Sequence, residues 1–184
     1  MQTYTDSDIE TIDFSPGAEF EDCEFKRIDF TQLSLKSTSF FNCKFTSCNL
    51  ANQPLVNASF REVIFEGCNL LGINWCALKR LDQPKFHDSR LNLTSFQWLK
   101  LKRVEFVKCA IVDADFSEAD LTGSDFSESN LAGANFNAAT LDGVDFRTSR
   151  DYLFDLRKAK IKGTKFSFPY VISLITALGA EVEL

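Results

Sequence analysis

Residues Val104–Thr148 read, in fives, VEFVK, CAIVD, ADFSE, ADLTG, SDFSE, SNLAG, ANFNA, ATLDG and VDFRT. A small residue, a polar one and then Phe, Leu or Ile return every five positions. That period fits neither the 3.6 of a helix nor the 2 of a half-buried strand, so a repeat architecture has to be considered first. A longer period sets the geometry: Phe106, Phe126, Phe146 and Phe166 are twenty residues apart, as are Phe96, Phe116 and Phe136. Leu101, Leu121, Leu141 and Ile161 form a third column, and Leu91, Ile111 and Leu131 a fourth. A chain that turns a corner every five residues and returns above itself after twenty predicts a four-sided, all-β solenoid, its coils ~4.8 Å apart.

Working outward, the same register begins at AEFED, with Phe20 central, and runs unbroken to Trp75. Pro54 lacks a backbone donor and predicts a local distortion beside Leu55. From Trp75 to Phe86 is eleven residues, two pentads plus one. The extra residue predicts a small outward loop at 78–83 (Leu78, Lys79, Arg80, Leu81, Asp82, Gln83), either a tolerated bulge or a partner contact. Register resumes at PKFHD and holds through Phe146, until Asp151 takes a position due an apolar side chain, so one side of the last full coil should be irregular. Three segments follow: a cap at 1–17 ending in the turn signal Pro16-Gly17, a β-helix at 18–168, and a tail at 169–184.

That tail, SFPYVISLITALGAEVEL, switches to helical spacing, with Pro169 suited to a first turn and Gly179 to a helix end. It is too apolar for a solvated helix. At a minimum it caps the last coil; beyond that it predicts a two-fold dimer interface of Phe168, Pro169, Val171, Ile172, Leu174, Ile175 and Leu178, with a short strand from Val182 to Leu184.

The net charge of −6 argues against binding nucleic acid or an anionic membrane through the protein's general field. No run approaches the ~18 apolar residues of a membrane span, and MQTYTDSDIE has neither region of a signal peptide, which predicts a cytoplasmic protein. Cys23, Cys43, Cys48, Cys68 and Cys109 occupy the inward small-residue position and are expected to be core filler. Cys76 follows Trp75, should face outward, and is the thiol expected to react. His87 is the sole histidine and should face solvent. With no phosphate-binding glycine loop, HExxH, CxxC pair or nucleophile beside a base, and no cleft in a filled core, the expectation is no enzyme, no cofactor and no metal.

Charge is unevenly distributed. Asp113, Asp115, Glu118, Asp120, Asp125, Glu128, Asp142 and Asp145 form an acidic belt with no Lys or Arg among them, and Asp125 falls beneath Asp145. Lys100, Lys102, Arg103 and Lys108 precede it; Arg147, Arg150, Arg157, Lys158, Lys160, Lys162 and Lys165 follow. Six net charges over a rod of ~36 Å are sparse beside duplex, with a charge every ~1.7 Å, but the belt is locally as dense. Belt and solvated consensus surface are both open readings.

The array resembles the pentapeptide-repeat family, which implies a right-handed quadrilateral β-helix. RDYLFDLRKAKIKGTKFSFPYVISLITALG and LLGINW further resemble its topoisomerase-directed subgroup, the Qnr, MfpA and AlbG proteins. The resemblance implies a dimeric rod that mimics DNA, binds DNA gyrase or topoisomerase IV where duplex would lie, and inhibits the enzyme or protects it from quinolones or a toxin. The projecting loops of the Gram-negative Qnr proteins have no counterpart here beyond the excess at Leu78–Gln83. The alternative is a scaffold or regulatory solenoid with another protein partner.

Overall fold

The structure is a computed structural model that describes residues 2–183. The chain winds into a quadrilateral β-helix. Most pentads lay a short strand or a single bridge on the pentad one coil below, always in parallel. Ten strands are long enough to name: β1 (Gln2–Thr5), β2 (Glu19–Glu21), β3 (Cys23–Lys26), β4 (Ser39–Phe41), β5 (Lys44–Thr46), β6 (Ser59–Arg61), β7 (Ile64–Glu66), β8 (Arg80–Asp82), β9 (Lys85–His87) and β10 (Glu105–Val107). The first side of the rod is the sheet β2-β4-β6-β8 and the second is β1-β3-β5-β7-β9-β10. Above Val107 the rungs contract to isolated bridges, such as Asp120 on Thr140 and Asp125 on Asp145.

The pentad explains the square. Its central and small residues point inward, and the second residue after each central one makes the corner in a left-handed backbone, as at Ser37 (φ 59°) and Glu118 (φ 59°). L residues rarely adopt that conformation. Here it is held because nearly every corner N–H is committed to the next coil, as in Glu118 N–H to Asn137 O at 2.9 Å. At Gly133, φ 70°, an added Cβ would meet the Asp113 carboxylate, which would have to swing aside.

The second side is a continuous aromatic stack of Tyr4, Phe25, Phe45, Phe65, Phe86, Phe106, Phe126, Phe146 and Phe166, with successive ring centroids 4.9–5.6 Å apart. A second aromatic column begins on the first side with Phe20, Phe40 and Phe60, then gives way to Leu81 and Leu101. It reappears on the fourth side as Trp75, Phe96, Phe116 and Phe136. Rings of the two columns meet edge to face, Phe116 and Phe126 at 89°. Each buried ring contributes roughly 1.5–3 kcal/mol by removal from water.

Two irregularities differ from the sequence expectation. Leu78–Gln83 is not a projecting loop: Arg80–Asp82 is β8, pairing Ser59 with Arg80 and Phe60 with Leu81. The extra residue is absorbed one step earlier, in the 3-10 turn Trp75–Ala77, where the Asn74 side chain accepts the Cys76 N–H. Keeping the ladder intact satisfies backbone groups that a bulge would leave open; Leu78 and Leu81 pack on the core while Arg80 reaches out. The break at Asp151 is real, and it is repaired by residues outside the register: Tyr152 and Phe154 turn inward, Phe154 lying 5.1 Å from Phe136. At Pro54 the expected distortion is present, the Leu55 and Val56 N–H groups donating to carbonyls only two residues back.

The ends are closed. Below, β1 extends the second side and Phe14 packs on Phe20 at 5.3 Å. Above, helix α1 (Val171–Ala177) lies on the last coil and ends at Gly179, with φ 88°. Pro169 precedes the helix rather than starting it. Leu174 is fully buried against the solenoid, so it is a cap residue with no surface left for a dimer interface. Val182 and Glu183 form no strand, and Leu184 lies outside the described residues.

Phe126→Asp places a carboxylate in the stack and should unfold the rod, a loss above ~3 kcal/mol; Glu128→Lys, two residues on and exposed, should melt within ~0.5 kcal/mol of the parent. Equal melting of the two in thermal denaturation would contradict the inward register.

Candidate functional site

The acidic belt encircles the rod instead of forming one patch. Asp125 and Asp145 lie on the second side, Asp120 and Asp142 on the first, and Asp115 on the fourth; Asp113, Glu118 and Glu128 stand at corners. The carboxylates divide by what already holds them. Residues just before a central position cap their own turns: Asp115 accepts the Ser117 N–H at 2.9 Å and Asp125 the Ser127 N–H at 2.8 Å. Asp120 pairs with Lys102 at 3.1 Å and Asp145 with Arg147 at 2.7 Å. Like charges do stack, Asp125 directly beneath Asp145, and the Arg147 fork on Asp145 offsets that repulsion. Asp113, Glu118 and Glu128 are exposed and take part in no ion pair among the described residues.

The flanking cations are partly spent in the same way. Arg157 grips Asp155 and holds its carboxyl down to about 2. Hydrogen bonding from Arg147 lowers Asp145. Burial raises Asp120, but its bonds with Thr122 and Lys102 outweigh that and leave it lowered. On the second side Lys85, at 2.7 Å, and His87, at 2.8 Å, share Glu105, whose pKa the lysine bond lowers. His87 is therefore a surface residue hydrogen-bonded to Glu105.

The thiols are quiet. Five cysteines are buried, their S–H groups donating to backbone carbonyls, as Cys48 does to Phe25 O at 3.3 Å. Cys76 is half-buried, not projecting: its thiol bonds to Gln97 O at 3.3 Å, and burial pushes its pKa up. The expectation of a reactive Cys76 is corrected accordingly. Among the described residues no group of His, Cys, Asp and Glu is placed to hold a metal ion, and no helix is long and apolar enough to cross a membrane. The surface depression between Ile64, Lys85, Arg103 and Glu105 is lined mainly by charged and amide side chains, Lys85 being paired with Glu105.

Exposed apolar residues are what a reading of register alone passes over. Phe168, Ile175, Leu178 and Val182 cluster at the C-terminal end, with Pro169 exposed and Val171 and Ile172 half-buried. Leu93 and Trp98 stand out midway along the rod. Their signal is present in the sequence: both sit two residues after a central position, where the other corners of left-handed backbone carry polar residues, Gly or Ala.

A filled, four-sided solenoid whose coils repeat every twenty residues is a repeat protein. Three overlapping matches to the pentapeptide repeat region, at residues 18–96, 76–146 and 99–167, show that the chain belongs to the pentapeptide-repeat family. Among solved structures it is similar to QnrB1, a plasmid-mediated fluoroquinolone resistance protein, in a trypsin-treated variant form: TM-score 0.66, 20% identity, 99% of this chain and 97% of that one. A second trypsin-treated variant of QnrB1 gives a TM-score of 0.54 at 19% identity, covering 100% and 99%. These likenesses establish the right-handed quadrilateral β-helix with its short C-terminal helix. No curated protein is a sequence match to the chain.

Two outcomes follow from the electrostatics and burial. Asp145, Asp120, Asp155 and Glu105 all have depressed folded pKa values, so the stability they contribute is present above their unfolded values and lost as pH falls through the folded ones. Melting temperature should hold from pH 8 to about pH 5 and fall toward pH 2, less steeply in Asp145→Asn; a melt that rises on acidification would contradict these pairings. A disulfide reagent at pH 8 should titrate less than one thiol rapidly in the native protein and all six after unfolding.

Proposed function

We propose that the protein is a non-enzymatic, DNA-mimicking ligand of DNA gyrase or topoisomerase IV, which inhibits the enzyme or protects it from quinolones or a topoisomerase-poisoning toxin. The observation that carries this reading is the acidic belt on a rigid rod. Of its eight carboxylates, Asp120 and Asp145 are neutralised, which leaves six over fewer than two coils. Six charges over a rise of ~10 Å is about one per 1.7 Å, comparable with duplex. Their spread over three sides and three corners suits a body that a duplex-binding channel would grip from several directions. The closing sequence, with its Tyr152, basic stretch and Phe-Ser-Phe-Pro, supports the same subgroup.

The C-terminal end completes the reading. Phe168, Pro169, Ile175, Leu178 and Val182 form the exposed apolar surface through which two copies would join, flanked by half-buried Val171 and Ile172. A two-fold rod is about 70 Å long at the strand spacing. The protein works in the cytoplasm, where its partner is. A second reading, a scaffold for a different protein, is favoured by one feature: the turn Trp75–Ala77 takes up the insertion and Arg80–Asp82 stays in the ladder, so residues 78–83 do not project from the rod.

Titrated into gyrase supercoiling and topoisomerase IV relaxation assays with and without a fluoroquinolone, the protein should inhibit or rescue. A docking made of charges should weaken about tenfold or more between 50 and 200 mM salt. No effect on either enzyme would overturn the proposal in favour of the scaffold. Ile175→Glu should halve the mass in light scattering while the fold is kept, whereas Leu174→Glu should lower the melting temperature; an unchanged mass for Ile175→Glu would contradict the dimer.

A further inference from the structure

Two corners of one coil break the rule that the others keep. Apart from Ala138, every left-handed corner other than Leu93 and Trp98 carries a polar residue or glycine. Leu93 has φ 59° and is 62% exposed; Trp98 has φ 50° and is 61% exposed. A left-handed backbone is unfavourable for a large side chain, and solvent exposure forfeits the hydrophobic gain that would offset it. The ladder holds both backbones, as at nearly every corner, but it would do the same for a polar residue or glycine and does not account for these two side chains.

Their surroundings give the pair a chemistry. The two bracket the fourth side of a single coil, with Ser95 and Gln97 between them. One coil above, Asp113 stands over Leu93 and Glu118 over Trp98, in the ladder that joins Leu93 N–H to Val112 O at 2.9 Å and Trp98 N–H to Ser117 O at 3.0 Å. Both carboxylates are exposed and without an ionic partner among the described residues. Gln97 is fixed between the corners by bonds to Asp115 Oδ2 at 2.6 Å and Ser117 Oγ at 3.0 Å, so the floor is rigid. Beneath Leu93 lies Gly72, which offers no side chain to cover it.

We infer that this stretch of the fourth side, Leu93 and Trp98 with Asp113 and Glu118 above, is where the protein partner docks. The occupant is a segment with an apolar side chain for the space between the corners and Arg or Lys groups for the two carboxylates and the Trp98 face. Tryptophan is enriched among the residues that carry binding energy at interfaces, and an arginine can engage indole and carboxylate together. The carboxylates disfavour a nucleic acid or an anionic membrane at the same place. This assignment rests on the topoisomerase reading and names the surface that reading would use.

The test is a double substitution, Leu93→Asn with Trp98→Gly, compared with the parent and with Val56→Asn, an exposed apolar residue lower on the same side. Each protein is melted, its mass is measured, and its binding to purified DNA gyrase and topoisomerase IV is titrated. The double variant should melt at the same or a higher temperature, keep its mass, and bind at least tenfold more weakly, while Val56→Asn matches the parent. A lower melting temperature would make the pair structural and overturn the assignment. A changed mass would place a second copy of the chain there instead. If the parent binds and the double variant binds equally, the docking surface is wrong and the topoisomerase reading stands. If the parent binds neither enzyme, both fall together.

Discussion

Everything in this protein hangs on the register between one coil and the next. On the second side, nine rings from Tyr4 to Phe166 lie flat on one another, and the same rungs carry the parallel backbone ladder. Aromatic contact and hydrogen bonding therefore fix the same spacing, and a shift of one residue would break both. Side chains at the corners are held in left-handed backbone because the ladder leaves them no alternative. The rod is thus rigid where its surface groups are mounted, and the position of each exposed charge is set by the core residue beside it.

That coupling makes the exterior a printed pattern. The residue before each central ring faces outward on a side, and the residue two after it faces outward at a corner. Acids in the first position are drawn into turn caps and ion pairs, as Asp115, Asp120 and Asp145 are; acids at corners, Asp113, Glu118 and Glu128, stay unpaired. A protein with no cleft has only this pattern with which to act. Ion pairing removes Asp120 and Asp145 from that pattern, and of the corner acids two, Asp113 and Glu118, lie next to the apolar corners Leu93 and Trp98.

The columns, the inward cysteines, the break at Asp151 and the helix stop at Gly179 are all legible from spacing, because a period of twenty leaves one arrangement for the core. What escapes is every choice settled by local competition. The inserted residue reads as a loop at Leu78–Gln83, but the ladder keeps Arg80–Asp82 as strand and pushes the excess into Trp75–Ala77. Tyr4, Tyr152 and Phe154 are core residues that obey no pentad register, and only packing against Phe25, Phe146 and Phe136 reveals them. Leu174 groups with the dimer surface in sequence because a helical stripe does not say which of two apolar neighbours it meets. The belt is legible as composition, yet its wrapping around the rod, and the cancellation of Asp120 and Asp145, need three dimensions.

Competition with DNA addresses the central claim most directly. A fluorescently labelled duplex bound to gyrase should be displaced by the protein, with the apparent duplex affinity falling in proportion to protein concentration and duplex and protein never on the enzyme together. Simultaneous binding of both, with the duplex affinity unchanged, would contradict the account.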